Sequence, residues 1–198
     1  MLSAVTMREP NTPPAGGLVV SAIVFYAAMA VIGAAIISAQ GLELVPTVFG
    51  DGLNTPRDAL LGAGSGLAVV LLTWLTRNLP AVRRLSDELN PLVAGLGSGE
   101  IALLAVTSAI GEELMFRGGL QPLLGFWPTV LVFGLAHGGT NRRLALWVLF
   151  AAAAGILLGW LTVYTGSLLA PVVCHLTVNF WNLHAMASES TPPPPAEP

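Results

Sequence analysis

Six residues in the second half of this 198-residue chain have types and spacings that suit hydrolysis: Glu112, Glu113 and Arg117, then His137, then His175 and Asn179. A carboxylate in an apolar surround is a candidate general base for water, and a nearby imidazole can share the proton work. An imidazole and an amide N–H one helical turn apart can donate hydrogen bonds to a developing oxyanion. Glu, His, His and Asn around one wet cavity are therefore sufficient for attack of activated water on an amide carbonyl. Two histidines and a glutamate would equally suit a zinc ion holding a catalytic water. The residue types leave both versions open. Glu113 and Arg117, spaced i, i+4, can form an ion pair within one helix. Glu112 points about 100° away from Glu113 at 3.6 residues per turn and is left outside that pair. His175 and Asn179 share a second i, i+4 stripe that Asn182 continues, and Phe133 stands one turn before His137.

The elements that hold these groups must be membrane helices. The chain is 54% hydrophobic and 10% charged, against roughly 45–50% and about 25% for ordinary soluble domains. Its mean hydropathy is +0.75. Disorder over most of the chain is excluded, because disorder needs low hydrophobicity and high net charge. Nucleic-acid binding is excluded by a net charge of −3, the absence of lysine and eight scattered arginines. Cys174 is the single cysteine, so there is no intrachain disulfide, and no Cys/His cluster has zinc-finger spacing.

The hydropathy pattern predicts an all-α, polytopic integral membrane helix bundle with about six transmembrane spans. A disordered lead over 1–17 precedes a transmembrane domain over 18–187, with the chemical motifs in 100–182, and a disordered Pro-rich tail covers 188–198. The first span, 18–40, carries no charge and is too long for a signal peptide. The second covers 59–76, where Gly62 and Gly66 permit close helix packing. A polar stretch, 77–100, reads as a loop with a short surface helix. The third span runs from Ile101 to about Gln121, and the fourth from Phe126 to just before Arg142. The fifth and sixth cover 144–166 and 167–187. With the N-terminus inside, six arginines face the cytoplasm and two the other side, which satisfies the positive-inside rule.

An ionisable group at the centre of a span costs about 2.5–3.5 kcal/mol on insertion scales, so each needs a reason. Here they are confined to the third, fourth and sixth spans, tyrosines apart. At about 1.5 Å per residue, Glu112 and His137 each lie about 17 Å along their helices, and His175 and Asn179 about 12 and 18 Å along theirs. All four are expected near the midplane.

Glu112-Glu113-Leu114-Met115-Phe116-Arg117 matches EExxxR, Phe133 to His137 matches FxxxH, and His175 to Asn179 matches HxxxN. In this order, each within an apolar span, they resemble the CAAX prenyl protease and bacteriocin-processing family (ABI or CPBP) of intramembrane endopeptidases. The resemblance implies that Glu112 activates water with help from His137, that His175 and Asn179 stabilise the oxyanion, and that Glu113 and Arg117 are structural or substrate-orienting. It implies a membrane-tethered protein or peptide as substrate, the lipid bilayer as surroundings and no soluble cofactor. A glutamate mechanism is favoured over zinc because no helix carries HExxH. Only 19 residues separate Arg117 from His137, so loop-borne substrate contacts of the family do not carry over. Abundant Ala, Gly and Leu with arginine in place of lysine point to a bacterial cytoplasmic membrane. The alternatives are a non-catalytic protein of the same fold, acting in bacteriocin immunity or as a scaffold, and a proton-coupled transporter. The latter would show internal repeats, and none is visible. His184 and the tryptophans read as interfacial or packing residues, Cys174 as facing away from the site, and the Gly118-Gly119 and Gly138-Gly139 pairs as relaxing the helices beside it.

Overall fold

The chain folds as a helical bundle in a computed structural model that describes residues 15–189. The greater parts of the expected lead and tail lie outside the described residues. Helix α1 covers Ala15–Ala39, the short α2 Leu44–Phe49, α3 Thr55–Thr76 and α4 Pro80–Val93. Helix α5, Ser98–Glu113, runs directly into a π-helical turn over Leu114–Leu120 and a last short helix, α6, over Gln121–Leu124. Helix α7 covers Phe126–Ala136, α8 Ala145–Thr165 and α9 Leu169–Glu189. No strand occurs among the described residues.

Three helices are long and apolar enough to cross a membrane, at Gly17–Ala39, Thr55–Thr76 and Arg142–Thr165. They correspond to the first, second and fifth spans read from hydropathy. A fourth candidate exists only if Pro80–Val93 and Ser98–Leu124, bent by 106°, are taken together. The count of six is therefore not reached. The segments that fall short are those with a polar load or too little length. The stretch from α5 to α6 contains Glu112, Glu113 and Arg117, α9 contains two histidines and two asparagines, and α7 has only 11 residues.

The membrane class shows in which side chains face outward. Val20, Val24, Phe25 and Val31 of α1 and Leu60, Leu67, Leu71 and Trp74 of α3 are exposed, whereas Glu113 and Arg117 are almost fully buried. A water-soluble bundle would reverse that arrangement. The core joins Phe116, Phe133, Leu158, Leu161 and Cys174 from four different segments. Helix α3 lies along α9, α1 along α5 and the π turn, and α7 along α8, while α4 crosses the ends of α8 and α9. At the other end of the bundle, buried Asp58 accepts hydrogen bonds from Arg57 and from Ser167, at 2.9 Å each, which ties the start of α3 to the α8–α9 link.

The α3–α9 contact depends on missing side chains. A Cβ at Gly62 would collide with the carbonyl oxygen of Ala170 and come within 3.0 Å of the Val173 Cβ, and one at Gly66 would lie 2.7 Å from the Thr177 Cβ. Gly64, on the opposite side, faces open space. Gly62→Ala is expected to destabilise the bundle by about 1–3 kcal/mol through overpacking. Gly64→Ala should instead be neutral or stabilising, by roughly 0.5–1 kcal/mol. Thermal unfolding of both variants in detergent, followed by circular dichroism, reads the difference.

Candidate active site

The continuous segment from α5 through the π turn supplies the acidic half of the site. Single π turns recur at functional positions, and this one buries Phe116, Arg117, Gly118 and Gly119 in succession. The Arg117 guanidinium donates to Glu113 Oε1 at 3.0 Å and to the Gly155 carbonyl at 3.3 Å, and lies 4.1 Å from the centroid of the Phe133 ring. Charge, hydrogen bonding and a cation–π contact thus hold one buried cation in place.

The same Glu113 oxygen accepts a hydrogen bond from His175 Nδ1 at 2.8 Å. His137, at the C-terminal end of α7, directs its Nδ1 to the Phe133 carbonyl, also at 2.8 Å. A carbonyl and a carboxylate can only accept, so Nδ1 carries the hydrogen in both rings. In each neutral ring Nε2 is consequently an acceptor. Both Nε2 atoms face one oxygen, Glu112 Oε2, at 3.7 Å for His137 and 3.9 Å for His175. These separations are too long for direct hydrogen bonds. They leave room for a water that donates one hydrogen to Glu112 Oε2 and the other to one of the two imidazoles. Glu112 Oε2 is buried and has no hydrogen-bond partner among the described residues.

The site borders a cavity of about 510 Å³ whose walls come from α1, α5, α7, α8 and α9 and from the end of α4. Glu112, His137, His175 and Asn179 all line it. Asn179 donates one amide hydrogen to Ser108 Oγ at 2.9 Å and keeps its second N–H free for a ligand. Ser108 stands one turn before Glu112 and is buried. It escapes a reading by motif because a serine in an apolar helix has neither charge nor signature; its only signal is the i, i+4 spacing to Glu112. Trp147 sets its ring edge-on against His137 at 5.7 Å.

Other polar residues on the same stripe are occupied elsewhere. Asn182 accepts from Thr73 at 3.0 Å, between α9 and α3. His184 bonds the Phe180 carbonyl at 3.0 Å and packs on the Phe180 ring. Cys174, expected to face away from the site, instead lines the same cavity and is buried in its wall. Of the two glycine pairs, 118–119 lies inside the π turn and 138–139 in the turn after α7. Among the described residues no group of three or more His, Cys, Asp or Glu is arranged to hold a metal ion.

A family model described as type II CAAX prenyl endopeptidase Rce1-like matches residues 96–181. This segment is Rce1-like. The family resemblance carried by the three motifs is thereby borne out, over α5 to most of α9. The Rce1-like segment includes Glu112, Glu113, Arg117, His137, His175 and Asn179, while α1, α3 and α4 lie outside it. The uncharacterized protein YpbD of Bacillus subtilis (strain 168) is 36% identical over 81 residues, 40% of this chain and 41% of that protein. The chain thus matches about two fifths of the length of this curated relative. No solved structure matches.

Proposed function

We propose that this chain is an intramembrane endopeptidase that hydrolyses a peptide bond in a membrane-anchored protein or peptide. The observation that carries the reading is the convergence of Glu112 Oε2 with two imidazole nitrogens at 3.7 and 3.9 Å, on the wall of a cavity large enough for a peptide. The Rce1-like segment supports the same activity class.

In this reading a water lies between Glu112 and His137. Glu112 takes its proton as the oxygen attacks the carbonyl carbon, and the proton later goes to the departing amine. The oxyanion forms beside the free N–H of Asn179. His175 joins as a donor when its Nε2 carries a second proton. In that state Arg117 and His175 balance the charges of Glu113 and Glu112, as a low-dielectric site requires. We favour a glutamate mechanism because no helix carries HExxH, and no step is derived through a metal.

The cavity continues from the site to Leu18 and Val19 of α1, Leu92 and Leu96 near the end of α4, and Leu183 of α9. These are the ends of the bundle near Arg77, Arg83, Arg84, Arg142 and Arg143. By the positive-inside rule the site opens toward the cytoplasm. A bacterial cytoplasmic membrane fits both the arginine-only basic composition and the Bacillus subtilis relative.

The test compares N- and C-terminal peptides of the membrane proteome in wild type, a deletion strain, and strains with His137→Ala or His175→Ala at matched expression. We expect the same protein to accumulate uncut in all three altered strains. If the deletion has an effect that both point variants lack, the site is not catalytic, and a binding role such as immunity or scaffolding replaces this reading.

A further inference from the structure

The wall that α1 gives to the cavity is apolar at Leu18, Val19, Ala22, Phe25 and Met29, and polar at one position, Tyr26. Its placement is fixed by the backbone. A Cβ at Gly111 would fall 2.5 Å from the carbonyl oxygen of Tyr26, so α1 and α5 touch at the residue just before Glu112. The phenol lines the same cavity as Glu112, and its ring meets Phe25 edge-on at 5.4 Å. Its hydroxyl makes no hydrogen bond among the described residues. Tyr26 also lies outside the Rce1-like segment, so neither the motifs nor the family match bears on it.

A hydroxyl on the cavity wall with no protein partner is free to donate to a ligand group that accepts its hydrogen bond. Beyond the second N–H of Asn179, the cavity is short of such donors. Glu112 and the Nε2 atoms of the neutral histidines are acceptors. Ser108 is already engaged with Ala105 and Asn179, and Trp147 packs between His137 and Phe150. A peptide carbonyl brought up to a water on Glu112 must turn its oxygen away from that carboxylate and toward a donor.

We propose that the Tyr26 hydroxyl donates a hydrogen bond to the carbonyl oxygen of the peptide bond under attack, a role that rests on the endopeptidase reading above. The water oxygen forms a bond to the carbonyl carbon and gives a proton to Glu112, while the carbonyl π pair moves onto the oxygen that Tyr26 and Asn179 hold. On collapse the C–N bond breaks, the nitrogen keeps the bonding pair and takes the proton from Glu112. Tyr26 keeps its own proton throughout.

The test uses the whole protein in detergent and a peptide spanning the bond identified by the terminal-peptide comparison. Tyr26→Phe is expected to lower kcat by about 10²–10³-fold, the effect of removing one oxyanion donor, with KM little changed. Replacing Tyr26 by 3-fluorotyrosine, which alters the acidity of the phenol and barely its size, should shift kcat and leave KM alone. That substitution also decides the matter if the phenylalanine variant does not fold. A Tyr26→Phe protein that cuts at the wild-type rate while Glu112→Gln is inactive overturns the proposal, and so does a loss confined to KM. Cleavage by Glu112→Gln at the wild-type rate removes Glu112 from the mechanism, whereas failure of the wild-type protein to cut the peptide overturns the endopeptidase reading itself, and with it the role of Tyr26.

Discussion

Glu112→Gln should reduce peptide hydrolysis by a factor of about 10²–10⁴, the range for removal of a general base, and leave the fold intact. Glutamine has the shape of glutamate and cannot take a proton from water. The same variant should unfold at an equal or higher temperature than the wild type. Glu112 Oε2 is buried without a hydrogen-bond partner, and an uncompensated buried carboxylate opposes folding. Opposite signs for activity and stability at one residue are what a site held for chemistry produces. Measured together, turnover of the identified peptide and thermal unfolding in detergent separate this from a structural glutamate, which would lose both. Unchanged turnover would remove Glu112 from the mechanism.

Arg117→Met is expected to cost about 3–5 kcal/mol of stability, because it leaves Glu113 as a buried charge with no cation beside it. Arg117 and Glu113 are 2% and 0% exposed, so water cannot take over. The double variant Glu113→Gln/Arg117→Met should recover most of the loss, since removing both charges also removes both desolvation costs. Its activity should stay low, because the negative charge of Glu113 beside His175, which supports a second proton on that ring, is lost. A double-mutant cycle on unfolding free energy, run alongside turnover, resolves the two contributions. Recovery of both together would mean that the pair only holds the helices in place.

How far the chain could be read without coordinates depended on whether a feature leaves a mark on hydropathy or charge. The uncharged runs that became α1, α3 and α8 are unmistakable, and the polar residues placed against the grain of apolar helices pick out Glu112, His137 and His175. The i, i+4 spacing of Glu113 and Arg117 likewise predicts the bond at 3.0 Å. Three features escaped. Helix α7 ends at Ala136, yet hydropathy carries on through the Gly138-Gly139 turn and suggests a longer span. The π turn has no compositional sign. Ser108 and Tyr26 join the cavity through tertiary contacts, and apart from the i, i+4 spacing of Ser108 to Glu112 nothing in their neighbouring residues announces it. Asn182 shows the converse, since a correct helical stripe carries it past the site and onto Thr73.

Helix α7 has a wider consequence. Its 11 residues span about 16 Å, roughly half of a hydrocarbon core of about 30 Å. Leu131, Val132 and Leu135 are exposed along it, so its outer face meets lipid. Immediately beyond lie His137 and an exposed stretch from Gly139 to Arg143 with two arginines. Irregular polar backbone is not tolerated in contact with acyl chains. A leaflet thinned beside α7 until headgroups meet that loop would satisfy this constraint, as a local hydrophobic mismatch. On the endopeptidase reading, water would then reach the two imidazoles from a lowered surface, and a substrate segment would need to be drawn only part of the way into the bilayer before its bond lay over Glu112.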